Sequence, residues 1–164
     1  MKKINYKVLI VSLVIVYLVA FLGSLFTSPV TDSDWYEEIK PSITPPGFVF
    51  PIVWNILFFM IGLSLYFAWV GVRPSSGYPK LRSKGAKMIA LVFGINLVLN
   101  ILWSVLYFGL KNPMLAFFEL IFLEASIIWM IYVSGKVDKK AGWLLVPYAL
   151  WVGFAGVLNY LTVF

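Results

Sequence analysis

The chain has 164 residues, of which 62% are hydrophobic, and its mean hydropathy is +0.93. A soluble domain is only about half apolar, so this composition excludes an ordinary soluble protein and, at this length, indicates one domain. The sequence contains no histidine and no cysteine. This excludes disulfides, imidazole general bases, thiolate nucleophiles and the usual zinc, iron–sulfur and His- or Cys-ligated haem sites.

Five long apolar runs follow one another along the chain. Each reaches or approaches the ~20 residues that a helix needs to cross a hydrocarbon core of ~30 Å. Backbone groups in lipid must be hydrogen-bonded within the spanning segment, which favours helices. We therefore predict an all-α integral membrane protein, a five-transmembrane-helix bundle forming a single domain over 1–164, with helices at about 5–27, 47–72, 84–109, 113–135 and 140–163.

The basic residues are distributed unevenly among the connections. Eleven of them precede the first apolar run or lie between the second and third or the fourth and fifth runs, and only Lys40 and Lys111 lie between the others. The positive-inside rule then predicts an inner N-terminus and an outer C-terminus. The charges fit contact with anionic lipid headgroups and give no reason to expect nucleic acid as a partner.

The first predicted helix follows Lys2, Lys3 and Lys7 and is longer than the apolar core of a signal peptide, so we interpret it as retained. No transit-peptide pattern is present, which favours a prokaryotic cell (inner) membrane over the mitochondrial outer membrane. Small residues at Ala20 and Ser24, and at Gly23 and Thr27, predict a homodimer face on this helix.

The first connection, 28–46, is long and acidic and contains Trp35 and Tyr36. Long loops in compact proteins often act as lids, and we expect this one to be a lid on the outer side. By contrast, only Lys111 and Asn112 separate the third and fourth predicted helices, which must therefore be antiparallel neighbours.

Polar residues inside the apolar runs leave alternatives open. Asn96, Asn100 and Ser104 share one helix face, either lining a ligand cavity or hydrogen-bonding neighbouring helices. Glu119 and Glu124 project about 140° apart. They are either neutral groups hydrogen-bonded to a neighbouring helix or parts of a proton relay, and we favour the former.

The fifth predicted helix contains a proline and several small residues. Pro147 predicts a kink in this helix. The small residues beyond it, among them Gly153 and Gly156, allow either close helix packing or space for a ligand.

Six short motifs occur in an order that resembles one family. They are W-Y (Trp35–Tyr36), K-P-S-x-x-P-P (Lys40–Pro46), W-x-x-L (Trp54–Leu57), L-N-x-x-W-S-x-x-x-F-G (Leu99–Gly109), P-x-x-A-x-x-E (Pro113–Glu119) and P-Y-x-x-W-x-x-F-A-x-x-L-N (Pro147–Asn159). Together they resemble the TspO/MBR family, the tryptophan-rich sensory and translocator proteins, over nearly the whole chain.

The resemblance implies a five-helix membrane receptor or sensor that binds porphyrins such as protoporphyrin IX and haem in a pocket beneath the lid. Trp54, Asn100 and Trp151 would make the polar ligand contacts. The other implied pocket residues are Phe58, Trp103, Ser104, Ala155 and Leu158, and the implied lid residues are Trp35, Tyr36, Pro45 and Pro46. No cofactor is obligatory on this interpretation, and no metal site is expected.

Two departures and two alternatives accompany the resemblance. Many members have Tyr where Phe58 stands, so a hydroxyl is missing here. No basic residue follows Tyr160, and sterol binding is therefore not implied. One alternative is a light-dependent porphyrin-degrading enzyme in which Trp54 and Trp151 donate electrons. The other is a tetrapyrrole or small-molecule transporter that uses Glu119 and Glu124.

Overall fold

A computed structural model describes residues 4–72 and 79–164. Lys2, Lys3 and Arg73, three of the residues behind the predicted orientation, lie outside this part of the chain. The described residues form seven α-helices and contain no strand. The helices are α1 (Tyr6–Thr27), α2 (Asp34–Ile39), α3 (Val49–Gly71), α4 (Pro79–Ser104, continued by a π-helical turn over Val105–Gly109), α5 (Pro113–Val137), α6 (Lys139–Trp143) and α7 (Val146–Val163).

Five helical segments are long and apolar enough to cross a membrane, which confirms the predicted fold class. They are α1, α3, α4 with its π-helical turn, α5, and α6 together with α7. Each buries only a minor part of its surface inside the protein. The large apolar side chains that remain exposed are those expected of helices that face lipid.

The five spans form a closed ring. α1 packs between α3 and α4, α5 packs between α4 and α7, and α6 and α7 contact α3. The tight connection after α4 confirms that α4 and α5 are antiparallel neighbours: Lys111 adopts a left-handed φ of 50°, and Asn112 Oδ1 accepts a hydrogen bond from the Leu115 amide at 3.0 Å. The core is formed by buried side chains from all five spans, including Val16, Ile61, Phe93, Ile127 and Tyr148.

The last span, Lys139–Val163, is interrupted just before Pro147, the position where the sequence predicted a kink. Two helices, α6 and α7, are separated by Leu144 and Leu145. Pro147 lies in the first turn of α7, where its missing N–H removes no helical hydrogen bond. Starting a new helix at this point avoids the cost of a proline within a helix.

The segment predicted as the lid loop 28–46 contains a short helix, α2. Ser33 caps it, since its Oγ accepts a hydrogen bond from the Tyr36 amide at 3.4 Å. Asp34 and Glu37 lie in the first turn, where negative charge is favourable. The third predicted helix also begins five residues earlier than expected, at Pro79.

We predict that Gly142→Ala destabilises the bundle. An ideal Cβ at Gly142 would lie 2.9 Å from Gly135 Cα and 3.2 Å from the Ile131 carbonyl oxygen, and neither is a flexible side-chain atom. The backbones of α5 and α6 would have to separate, at a cost of about 1–3 kcal/mol.

Thermal unfolding in detergent measures this effect, with Gly94→Ala as the matched control. A Cβ at Gly94 meets nothing within 4 Å, so that variant should be neutral or slightly stabilised. Equal melting temperatures for the two variants would contradict the close packing of α5 on α6.

Candidate functional site

One cavity of about 580 Å³ opens at the end of the bundle that carries residues 28–46, here called the lid end. Its walls come from α1, α3, α4 and α7, and α2 with its flanking loop contributes to its mouth. All eight side chains predicted to surround a pocket lie on its wall: Trp54, Phe58, Asn100, Trp103, Ser104, Trp151, Ala155 and Leu158. The structure therefore brings together residues that are up to 104 positions apart in the sequence.

Only half of the predicted lid residues line the cavity. Tyr36 and Pro45 do, whereas Trp35 and Pro46 are not among its lining residues. The Trp35 ring instead packs edge-on against Tyr107, with 6.1 Å between ring centroids, and the Lys111 ammonium lies 5.5 Å from its ring centre. Trp35 thus anchors the lid helix α2 to the bundle.

The second contact of α2 is made by Tyr36, whose ring lies 5.9 Å from that of Phe108. Burial, with a smaller contribution from the nearby Tyr107 and Glu37, raises the pKa of the Tyr36 phenol to about 12. Its hydroxyl therefore keeps its proton at any physiological pH and can donate a hydrogen bond at the mouth of the cavity.

Aromatic rings cover much of the cavity wall. Trp54 stacks on Phe58 at 5.3 Å between centroids with an interplanar angle of 28°. On another wall, Phe50 meets Trp151 edge-on at 5.8 Å. Offset and edge-on pairs of this kind are the favourable arrangements of aromatic rings, so the walls present flat, weakly polar surfaces.

Four side chains of α4 and its π-helical turn, here called the polar row, form hydrogen bonds to α5 and α7. Asn96 Nδ2 donates to Ser126 Oγ at 2.8 Å, Asn100 Nδ2 donates to Tyr148 Oη at 3.1 Å, and Trp103 Nε1 donates to Asn159 Oδ1 at 3.3 Å. The fourth, Tyr107, shares a hydrogen bond of 3.3 Å with Thr162.

The polar face predicted at Asn96, Asn100 and Ser104 therefore serves both predicted purposes: part of it hydrogen-bonds neighbouring helices and part of it lines the cavity. Asn96 is fully buried, does not line the cavity and only joins helices. Asn100 does both, and Ser104 lines the cavity and faces α1, with its Oγ 3.4 Å from an ideal Cβ on Gly23.

The small residues of α1 face the interior of the same chain. Ala20, Gly23, Ser24 and Thr27 all line the cavity. Their spacing also predicted a homodimer face, which stays a prediction.

Five side chains of the membrane-spanning helices carry buried polar atoms that have no hydrogen-bond partner among the described residues. They are Asn96 through Oδ1, Glu119 through both carboxylate oxygens, Glu124 through Oε2, Ser134 through Oγ and Trp151 through Nε1. The favoured interpretation of the two glutamates, hydrogen bonds to a neighbouring helix, is therefore wrong for Glu119. Neither glutamate lines the cavity, whereas Trp151 does.

The charged mouth of the cavity is the feature that reasoning from the sequence missed. Asp32, Glu37 and Lys40 all line it. The acidic composition of 28–46 was a visible signal, but only the start of α2 after Ser33 shows which of its charges turn towards the cavity.

Comparison with known proteins identifies relatives along nearly the whole chain. Residues 11–164 match the model of the TspO/MBR family. The chain is 35% identical to tryptophan-rich protein TspO of Archaeoglobus fulgidus, over 95% of each chain, and 35% identical to a protein of that name from Chlorobaculum tepidum, over 87% of this chain and 85% of that one. It is 29% identical to translocator protein of Bos taurus, over 85% of this chain and 79% of the bovine one.

We predict that Asn159→Ala destabilises the protein more than an ordinary polar substitution. Asn159 is buried, accepts from Trp103 Nε1 and donates to the Pro113 carbonyl at 2.8 Å. Alanine leaves the Trp103 indole N–H unpaired and removes a second hydrogen bond from the Pro113 carbonyl, which together should cost about 1–3 kcal/mol.

Asn55→Ala is the control for this loss of stability. Asn55 is exposed and its amide bonds only to the Pro51 carbonyl of its own helix, so its replacement should change stability by about 0.5 kcal/mol or less. If the two variants have the same melting temperature in detergent, Asn159 does not stabilise the contact between α4, α5 and α7.

We also predict that Trp35→Ala releases α2. The variant loses the edge-on contact with Tyr107 and the cation–π contact with Lys111, each worth about 1 kcal/mol. Hydrogen exchange of the amides in Asp34–Ile39 should become about tenfold faster or more.

Trp143→Ala is the matched control, because Trp143 is 73% exposed and lies in α6. It should leave exchange in α2 unchanged. Unaltered exchange in the Trp35 variant would show that another contact holds the lid helix.

Proposed function

Since the chain belongs to the TspO/MBR family of membrane sensory and translocator proteins, we propose that it binds porphyrins, such as protoporphyrin IX and haem, in the cavity at its lid end. The observation that carries this proposal is the cavity itself. Its volume of about 580 Å³ falls within the range of small-molecule sites. Its walls combine indole and phenyl faces with few polar groups, a surface suited to a flat, largely apolar ring system.

The chain is an integral membrane protein, as its family and its five apolar spans require. We place it in a prokaryotic cell membrane with its N-terminus inside and the lid end outside. On that assignment the cavity opens at the outer surface, and its deeper part lies within the hydrocarbon layer.

Three side chains supply the polar contacts of the proposed complex. Trp151 has an indole N–H without a partner on the cavity wall, and a ligand oxygen or nitrogen would relieve the cost of leaving it unpaired. Asn100 is held in place by its bond to Tyr148. Trp54 presents a ring fixed by stacking on Phe58.

The absence of histidine and cysteine bears on how haem would be held. Without these ligands the macrocycle is held by its shape, by stacking and by contacts to its substituents. We therefore expect iron-free protoporphyrin IX and haem to bind with similar affinities. A strict requirement for iron would contradict the proposal.

Quenching of tryptophan fluorescence by protoporphyrin IX in a neutral detergent tests the proposed site. The wild type should saturate at micromolar ligand or below. Asn100→Ala and Trp151→Phe should each weaken binding about tenfold, the usual cost of losing one well-placed polar contact.

Trp143→Phe is the control, because it also removes one tryptophan but at an exposed position away from the cavity. Its affinity should equal that of the wild type. If all four proteins bind alike, the ligand lies elsewhere. Illumination of the same samples tests the enzymatic alternative, which requires a bilin-like product that disappears when Trp54 or Trp151 is replaced by Phe.

A further inference from the structure

An ion pair lies at the mouth of the cavity. Lys40 Nζ is 2.5 Å from Glu37 Oε1, and both residues line the cavity. The side chains are 36% and 57% exposed, respectively. An exposed pair of this kind contributes little to stability, so a competing anion can replace the Glu37 carboxylate at small cost.

Lys40 is the only basic residue on the cavity lining in the described part of the chain. The other lysine at this end of the bundle, Lys111, lies over the Trp35 ring and does not line the cavity. Asp32 also lines the mouth, so apart from Lys40 the charges that border the opening are negative. An anionic ligand group therefore has one favourable position there.

The interior of the cavity is a poor place for a carboxylate. Its described lining beyond the mouth offers neutral groups, such as the indoles of Trp54 and Trp151 and the amide of Asn100. Moving a carboxylate from water to membrane depth without a cationic partner is costly. A flat ligand that carries two carboxylates would therefore direct at least one of them towards the mouth, where water and Lys40 are available, while the other can accept a hydrogen bond from a neutral donor such as Trp151.

We propose that Lys40 binds a carboxylate of the ligand, and that Glu37 holds this position in the empty protein as a built-in competitor. The inference rests on the proposed function, and it restricts the ligands to flat apolar rings with an acidic edge. In the complex the ammonium of Lys40 exchanges one carboxylate for another, so that no charge is left unpaired. The Glu37 carboxylate returns to water, which its exposed position allows.

The test compares protoporphyrin IX, which has two carboxylates, with its uncharged dimethyl ester, each measured against itself in wild type and variants. Lys40→Gln should weaken binding of the acid about fivefold and leave binding of the ester within about twofold, the range expected of one exposed charge pair. Glu37→Gln should tighten binding of the acid about threefold, because the competitor is removed.

Lys139→Gln is the matched control: it removes the same charge from an exposed position away from the cavity and from the lid helix. It should change binding of the acid less than Lys40→Gln does. Added salt should weaken binding of the acid and not of the ester. Unchanged ester binding also shows that the Lys40 variant is folded.

The outcomes separate this inference from the proposed function. If neither compound binds the wild type, both are wrong. If both compounds bind and Lys40→Gln affects them equally or not at all, the cavity binds porphyrins but Lys40 does not recognise the carboxylate. Equal losses for the acid in the Lys40 and Lys139 variants would reduce the effect to general surface charge and overturn the inference.

Discussion

The hydrocarbon layer offers no water to the polar groups of a membrane-spanning bundle, so those buried between its helices need partners within the protein. Here the polar row of α4, formed by Asn96, Asn100, Trp103 and Tyr107, meets that requirement by bonding to α5 and α7. Asn159 adds a bond to the Pro113 carbonyl, which ties the start of α5 into the same seam. These hydrogen bonds form a seam that joins α4, α5 and α7.

The cavity lies on the other side of the polar row. Because α4 is fixed to α5 and α7, the open space is left between this seam and the pair formed by α1 and α3. Asn100, Trp103 and Tyr107 therefore have two roles, since each joins helices on one side and lines the cavity on the other. At Gly23 of α1, an ideal Cβ would lie 3.4 Å from Ser104 Oγ, so α1 and α4 are in van der Waals contact at this wall.

The lid helix is positioned by the same residues. Tyr107 and Phe108 lie in the π-helical turn that ends α4, and they receive Trp35 and Tyr36 of α2. Trp103 stacks on Tyr107 at 5.3 Å between ring centroids and also lines the cavity. Trp103 thus connects the cavity wall with the aromatic rings that hold α2.

The five spans could be predicted because a run of about 20 apolar residues has few alternatives to a membrane helix. The pocket residues came from the family resemblance, and the structure places all eight on one cavity. The spacing of Asn96, Asn100 and Ser104 predicted one polar face but not its partners. The structure adds Trp103 and Tyr107, which also hydrogen-bond to other helices, to this face.

Other features depended on contacts that no local pattern specifies. A proline such as Pro147 permits either a kink or the start of a new helix, and the sequence around it does not distinguish the two. Small residues allow close packing but do not specify which helix packs against them. The sequence therefore could not show that Gly23 faces Ser104. The charged mouth needed the start of α2 to be known.

The proposed ligand site depends most on Trp151, which lines the cavity and whose indole N–H has no hydrogen-bond partner among the described residues. Indole ¹⁵N–¹H spectra of the seven tryptophans, recorded with and without protoporphyrin IX and assigned by single Trp→Phe variants, test it most directly. We expect the Trp151 N–H resonance to move to the position of a hydrogen-bonded donor as ligand is added, while that of exposed Trp143 stays in place. Saturable binding without movement of the Trp151 resonance would contradict it.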